Sequence, residues 1–109
     1  YLLDACQSVG QMPLDVRELG CDFLTATGRK YLRAPRGTGL LYARRGALAL
    51  TPEVEPGMLD NWGALWSARD EYSLASGAKR YETYEMSFAA KAGMAVAVEY
   101  ALQVGVHRI

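Results

Sequence analysis

The chain has 109 residues, of which 50% are hydrophobic and 22% charged, and its formal net charge is zero. This length is that of one ordinary domain, and the charge balance argues against a disordered tail or a generally basic nucleic-acid binder. No apolar run reaches the roughly 18 residues of a membrane span, no secretory signal precedes Tyr1, and the two cysteines lack CxxC spacing, which together indicate a reduced, cytoplasmic setting.

The two ends of the chain read as the interiors of elements. Residues 1–3 have the composition of a strand already under way, and residues 106–109 resemble the start of an element that is cut off. We therefore expect an internal piece of a longer protein.

Two strands are predicted in the first 27 residues. Residues 1–5 form a short apolar run that contains Asp4, which is typical of a buried parallel strand, and residues 21–27 form a second run. Because strand–helix–strand crossovers are right-handed with parallel strands, Asp4 and Lys30 should both emerge at the carboxyl edge of the sheet. In open α/β sheets that edge is where ligands bind.

The helix between these strands is predicted over residues 13–20. Asp15 suits the N-cap, Glu18 completes a capping box three residues later, and Gly20 suits the C-terminal stop. The chain therefore carries the signals of a complete crossover helix.

A basic loop over residues 29–36 precedes a third strand, predicted over residues 40–43. The short connection favours an antiparallel orientation to the second strand, since a parallel return needs a long crossover. Residues 51–79 show no firm periodicity and are expected to form a long loop, which is more often functional than idle.

The clearest helix is predicted over residues 87–104, with Gly105 as its end. Apolar residues at spacings of three and four form one apolar stripe along it. The predicted stripe consists of Phe88, Ala92, Ala95, Val98 and Leu102.

The side chains at the sheet edge predict a site for an aldehyde cofactor such as pyridoxal phosphate. A lysine amine can form a Schiff base with an aldehyde, and Lys30 is the candidate. Asp4 is placed to keep a pyridine nitrogen protonated, and Gln7, which completes a DxxQ pattern, could hydrogen-bond the ring hydroxyl. The Thr-Gly-Arg run at residues 27–29 supplies a hydroxyl, backbone N–H groups and positive charge for a phosphate.

These motifs occur in an order that resembles a known family. DxxQ at residues 4–7 is followed by TGRK at residues 27–30, a Gly-Thr-Gly turn at residues 37–39 and RYETYE at residues 80–85. The whole pattern resembles the class V aminotransferases, the fold-type I pyridoxal-phosphate family that includes cysteine desulfurases and isopenicillin-N-epimerase-like enzymes. The resemblance spans nearly the whole chain. It implies an α/β fold in which residues 1–86 belong to the large cofactor-binding domain, a mostly parallel sheet with flanking helices, and residues 87–109 form a helix leading towards a small C-terminal domain.

By that resemblance, the cofactor is pyridoxal 5'-phosphate and Lys30 is the catalytic residue that binds it covalently. Asp4 pairs with the pyridine nitrogen, Gln7 with the ring hydroxyl and Thr27 with the phosphate. Arg29 stands where the family usually has histidine, and as a fixed charge it can still bind phosphate. This substitution places the sequence nearer the aminotransferase-like and sulfoxide-lyase-like branch than the desulfurases.

The resemblance implies an amino-acid substrate, a transaminase-like reaction and a homodimer in the full-length protein, with neither nucleic acid nor membrane as a partner. The alternatives are a C–S lyase or cysteine desulfurase, and an epimerase. A desulfurase needs a nucleophilic cysteine downstream of Lys30, whereas Cys6 and Cys21 precede it and read as strand residues.

Two functions of other classes remain open from the sequence. An excised piece of such an enzyme would be inactive by itself and could act as an interaction module through unpaired strand edges. Nucleic-acid binding through the arginines of residues 29–45 is the other alternative, although overall neutrality and few interleaved aromatic residues argue against it.

Overall fold

The structure is a computed structural model that describes residues 1–50, 59–60 and 62–109. The chain divides into two compact units, one formed by residues 1–42 and 87–109 and the other by residues 43–86. The strands are β1 (Leu2–Asp4), β2 (Phe23–Thr27), β3 (Gly39–Ala43), β4 (Ala64–Ala68) and β5 (Glu71–Leu74). The helices are α1 (Val16–Leu19), α2 (Arg45–Leu50) and α3 (Phe88–Val104), with 3-10 turns at Gly77–Tyr81 and Val106–Arg108.

The first unit contains a three-stranded sheet in the order β1-β2-β3. β1 and β2 are parallel, with Asp4 opposite Thr25, so the predicted crossover is confirmed. The Gly28 N–H donates to the Thr38 carbonyl at 2.8 Å, which brings the start of β3 to the end of β2. The antiparallel direction of β3 stays a prediction.

Helix α1 makes the crossover and is held at both ends by the predicted residues. The Asp15 carboxylate accepts the Arg17 N–H at 2.7 Å, one residue before the Glu18 position that a capping box would use. Gly20 adopts φ 63°, the left-handed conformation that glycine accepts without a steric penalty. The helix is therefore short because its cap and its stop are only five residues apart in sequence.

The core of the first unit lies where β1 and β2 meet α1. Its buried centre is formed by small and branched side chains, with larger apolar side chains packed around it. The buried residues are Ala5, Cys21, Leu24 and Ala26, and the partly buried ones are Leu3, Val9, Leu14, Val16 and Tyr42.

Helix α3 forms where it was predicted, and most residues of its apolar stripe are exposed. Ser87 caps its N-terminus by accepting the Ala90 N–H at 3.2 Å, and Gly105 follows its last residue. Phe88 and Leu102, at the two ends of the predicted stripe, are 54% and 70% exposed, whereas Ala101 is buried. The helix has small or apolar residues on every side, so periodicity alone could not determine which side packs.

The second unit corrects the expectation of a long loop over residues 51–79. Strands β4 and β5 form an antiparallel hairpin with an irregularity between Trp66 and Ala68, and the Trp66 and Tyr72 rings pack edge-to-face across it at 5.7 Å. Residues 51–58 and 61, which contain part of the predicted loop, lie outside the described residues. Helix α2, which the sequence analysis did not predict, also belongs to this unit.

The fold class is confirmed as α/β, with a parallel strand pair and flanking helices. Helix α3 clusters with residues 1–42, and its role as a link towards a small domain stays a prediction. No helix in the described part of the chain is long and apolar enough to cross a membrane.

Candidate functional site

All predicted site residues lie in the first unit, at one edge of its sheet. Asp4 is the last residue of β1 and Thr27 is the last residue of β2. Because the strands are parallel and Asp4 is opposite Thr25, the two carboxyl ends lie side by side. The prediction that Asp4 and the segment leading to Lys30 meet at this edge is therefore confirmed.

The DxxQ segment leaves β1 through a tight turn. The Ala5 N–H still donates to the Thr25 carbonyl at 2.8 Å, but the Ala5 carbonyl accepts the N–H groups of Ser8 and Val9, both at 3.0 Å. The chain therefore turns away from β2 immediately after Ala5. Gln7 is exposed in this turn, and its backbone carbonyl accepts Nε2 of Gln11 at 2.9 Å.

The loop that carries Lys30 is closed by backbone hydrogen bonds. The Ala34 N–H donates to the Gly28 carbonyl, and the Arg33 N–H donates to the Lys30 carbonyl, each at 2.9 Å. Gly28 is buried, and a Cβ at this position would collide with the Thr38 hydroxyl. The loop thus has a defined conformation before any ligand binds.

The two loops are in direct contact at Gly10. This residue has φ 85°, and a Cβ on it would lie 2.5 Å from the Leu32 nitrogen and 2.7 Å from the Tyr31 carbonyl carbon. Only a glycine permits so close an approach between backbones. The contact fixes the DxxQ turn against the residues that directly follow Lys30.

The electrostatics at this edge keep Asp4 in its charged form. Hydrogen bonding by the Cys6 side chain and by the Cys6 N–H lowers the pKa of the Asp4 carboxyl; desolvation opposes this, and the nearby Lys30 charge lowers the pKa further. The Cys6 N–H donates to Oδ1 of Asp4 at 2.9 Å. Asp4 is therefore a carboxylate at neutral pH, and Lys30 is near enough to act on it.

Cys6 is the residue of this site that the sequence analysis missed. It lies in the turn after β1 rather than in the strand, and it is only partly buried. Its Sγ accepts the Thr27 N–H at 3.2 Å. The sequence signal that could have pointed to Cys6 was its position inside the DxxQ motif. A single thiol with no fixed spacing to another cysteine or histidine, however, suggested no role.

The donor set of this edge fits pyridoxal phosphate. Asp4 offers a carboxylate that stays ionised, and Lys30 offers an amine on a half-buried side chain. Thr27 and Arg29 offer a hydroxyl and an exposed guanidinium close by in the chain. A cofactor with a basic ring nitrogen, an aldehyde and a phosphate would find a partner for each group.

The fold and the site are those of an α/β cofactor-binding domain. The family model for aminotransferase class V matches residues 1–109. The chain belongs to the class V aminotransferase family, as the motif order predicted.

Proteins similar to this chain include cysteine desulfurases. The chain is 35% identical over 109 residues to a probable cysteine desulfurase of Methanothermobacter thermautotrophicus, covering 100% of this chain and 26% of that protein. It is 33% identical over 110 residues to a probable cysteine desulfurase of Mycobacterium leprae, covering 99% and 25%. The chain therefore spans about a quarter of the length of these relatives.

Solved structures give the same fold. The apo cysteine desulfurase of Thermococcus onnurineus superposes with a TM-score of 0.82 at 30% identity, covering 99% of this chain and 26% of that one. A cystine C–S lyase in complex with its product, cysteine persulfide, superposes with a TM-score of 0.78 at 29% identity, covering 93% and 26%. A variant of that lyase carries glycine covalently linked to its PLP cofactor.

These comparisons confirm the family, the fold and pyridoxal phosphate as the cofactor of this type of enzyme. They favour the C–S lyase or desulfurase alternative over the transaminase-like reaction. The individual roles predicted for Asp4, Gln7, Thr27, Arg29 and Lys30 stay predictions.

Proposed function

We propose that the protein containing this chain is a pyridoxal-phosphate enzyme that cleaves the C–S bond of a sulfur-containing amino acid such as cysteine or cystine. The observation that carries the proposal is the position of Asp4, a carboxylate at neutral pH, near Lys30 at one sheet edge. The choice of C–S cleavage is supported by the similar desulfurases and by the cystine C–S lyase.

The cofactor, when bound, supplies a ring that takes up negative charge from the substrate Cα. Asp4 holds the proton on the ring nitrogen, since its carboxylate remains charged at neutral pH. Thr27 and Arg29 bind the phosphate, and Gln7 orients the ring through its hydroxyl. The Lys30 amine would hold the cofactor aldehyde and would be the group that moves the proton at the substrate Cα.

The two cysteines of this chain are not suited to attack the substrate sulfur. Cys21 is completely buried, and the Cys6 thiol accepts the Thr27 N–H. A desulfurase reaction would therefore draw its nucleophilic cysteine from another part of the protein. Elimination from cystine needs only the proton-transfer groups, and this chain offers Lys30 for that task.

Product analysis of the full-length protein tests this proposal. The protein is loaded with pyridoxal phosphate and given cysteine or cystine in separate reactions, with Lys30→Ala as the control. Sulfide or persulfide release that is lost in the control supports C–S cleavage, with alanine as co-product indicating desulfuration and pyruvate with ammonia indicating elimination.

Transamination is the second candidate, because Arg29 rather than histidine precedes Lys30. Amino-group transfer from an amino acid to a 2-oxo acid, without sulfur release from cysteine or cystine, would favour it and would contradict C–S cleavage. The predicted homodimer and cytoplasmic setting remain proposals that accompany either reaction.

A further inference from the structure

The backbone ladder between β1 and β2 lacks its last hydrogen bond. In a parallel ladder, one residue makes two hydrogen bonds to the neighbouring strand. Its N–H donates to a carbonyl of that strand, and its own carbonyl accepts the N–H of the residue two positions further along. The Ala5 N–H donates to the Thr25 carbonyl as expected, at 2.8 Å. The Ala5 carbonyl, however, is taken by Ser8 and Val9, and so it is not the acceptor for the Thr27 N–H.

The Cys6 thiol provides the missing acceptor. The Thr27 N–H donates to Sγ of Cys6 at 3.2 Å, within the range of a hydrogen bond to sulfur. A backbone N–H in a partly buried position is costly to leave unpaired. The thiol therefore holds the end of β2 where the turn after β1 would otherwise release it.

The same residue also contacts the other end of the site, through its backbone. The Cys6 N–H donates to Oδ1 of Asp4 at 2.9 Å. The Cys6 thiol thus accepts a hydrogen bond from the Thr27 N–H, and the Cys6 N–H donates one to the Asp4 carboxylate.

We propose that Cys6 is a positioning residue of the cofactor site, tying the Asp4 carboxylate to the Thr27 backbone so that the ring and phosphate ends of pyridoxal phosphate meet groups at a fixed separation. The expected effect on cofactor binding rests on the proposed function. The two hydrogen bonds themselves are made between protein atoms only. Cys6 is not assigned a catalytic role, because it acts through Asp4 and Thr27.

Three variants of the full-length protein separate this role from a general effect on folding. Cys6→Ala removes the side-chain acceptor of the Thr27 N–H, and Cys6→Ser restores an acceptor there. Cys21→Ala is the matched control, since it removes a fully buried thiol from the same unit without touching Asp4 or Thr27.

Two measurements give the test. Hydrogen–deuterium exchange of the apo-protein reports on the Thr27 amide, and we expect exchange at least about tenfold faster in Cys6→Ala. Titration with pyridoxal phosphate should show about tenfold weaker binding in Cys6→Ala than in wild type. The visible absorption of the bound cofactor should also differ from wild type in its dependence on pH. Cys6→Ser should restore both properties to within about threefold, and Cys21→Ala should retain both.

The outcomes distinguish this inference from the proposed function. If wild type binds pyridoxal phosphate but Cys6→Ala matches it in amide exchange, affinity and absorption, the positioning role is overturned while the cofactor function stands. If wild type does not bind the cofactor, the proposed function fails, and with it the consequence assigned to Cys6. Loss of binding in Cys6→Ala without recovery in Cys6→Ser would also overturn the inference, since it would indicate only a packing defect.

Discussion

A Cβ on Gly10 would lie 2.5 Å from the backbone nitrogen of Leu32, so the turn after β1 and the loop of Lys30 touch backbone to backbone. This contact gives the two motifs a fixed relation although 20 residues or more separate them in sequence. The geometry of the site therefore depends on Gly10, which has no side-chain functional group.

The first prediction concerns this glycine. Gly10→Ala should destabilise the protein by about 3 kcal/mol or more, because it adds a backbone clash to the strain of a positive φ. Gly20→Ala is the matched control: Gly20 also has a positive φ, but no atom lies within 4 Å of the added carbon. Its cost should be about 1–2 kcal/mol. Urea unfolding measures both, and equal costs would contradict the close contact.

The second prediction concerns Gly93 in helix α3. Glycine weakens a helix by about 1 kcal/mol relative to alanine, so Gly93→Ala would be stabilising in open space. Here the added Cβ would lie 2.8 Å from Cγ of Pro35. We expect a net destabilisation of about 1–2 kcal/mol.

The double variant Gly93→Ala with Pro35→Ala tests the cause of that effect. Removing the proline ring should relieve the clash, so adding Gly93→Ala to Pro35→Ala should cost less than adding it to wild type. Thermal unfolding of wild type, the two single variants and the double variant gives the coupling free energy between positions 35 and 93. Strict additivity of the two substitutions would show that Pro35 does not make the contact.

The third prediction concerns Asp4. Asp4→Asn keeps the shape of the side chain but removes the charge proposed to hold the proton on the cofactor ring. We expect turnover to fall on the order of 100-fold or more, with the folded state retained. Steady-state kinetics and circular dichroism measure the two effects, and the exposed Asp15→Asn is a control for loss of one carboxylate. Unchanged turnover in Asp4→Asn would contradict the assigned role.

The fourth prediction concerns pH and the second unit. Hydrogen bonds from the backbone N–H groups of Tyr84 and Trp62, at 2.5 and 2.9 Å, lower the pKa of Asp60 from its usual value of 3.8. A carboxyl whose pKa is lowered by folding stabilises the protein above its ordinary pKa, and this contribution is lost as the pH falls through the folded value. Wild type should therefore lose part of its thermal stability as the pH falls below about 4.

Asp60→Asn gives the comparison. It should be less stable than wild type at pH 7, and the difference between the two unfolding temperatures should shrink between about pH 5 and pH 2. Asp70→Asn, in the exposed β4–β5 turn, serves as the matched substitution. A constant difference between wild type and Asp60→Asn across this pH range would contradict the role of the two hydrogen bonds.

The parts of the fold that could be predicted from sequence are those with local signals. Asp15 and Gly20 marked the ends of α1, and Ser87 and Gly105 bound α3. The apolar runs ending near Asp4 and Thr27 marked two parallel strands, and their parallel direction was enough to bring the candidate site together.

The parts that could not be predicted depend on contacts between distant residues. Strand β4 is exposed at Leu65 and Trp66, so it lacks the alternation that a half-buried strand would show. Gly46 in the first turn of α2 weakened the signal of that helix. Cys6 became part of the site only through the sulfur contact with Thr27, which no spacing rule describes.

The most direct test of the account is to map the site of covalent cofactor attachment. The full-length protein is incubated with pyridoxal phosphate, reduced with borohydride, digested and analysed by mass spectrometry, with Lys30→Ala in parallel. We expect a single stable adduct on Lys30 that is lost in the variant. A well-folded wild-type protein with no adduct on Lys30 would contradict it and would leave an interaction module as the better explanation of this chain.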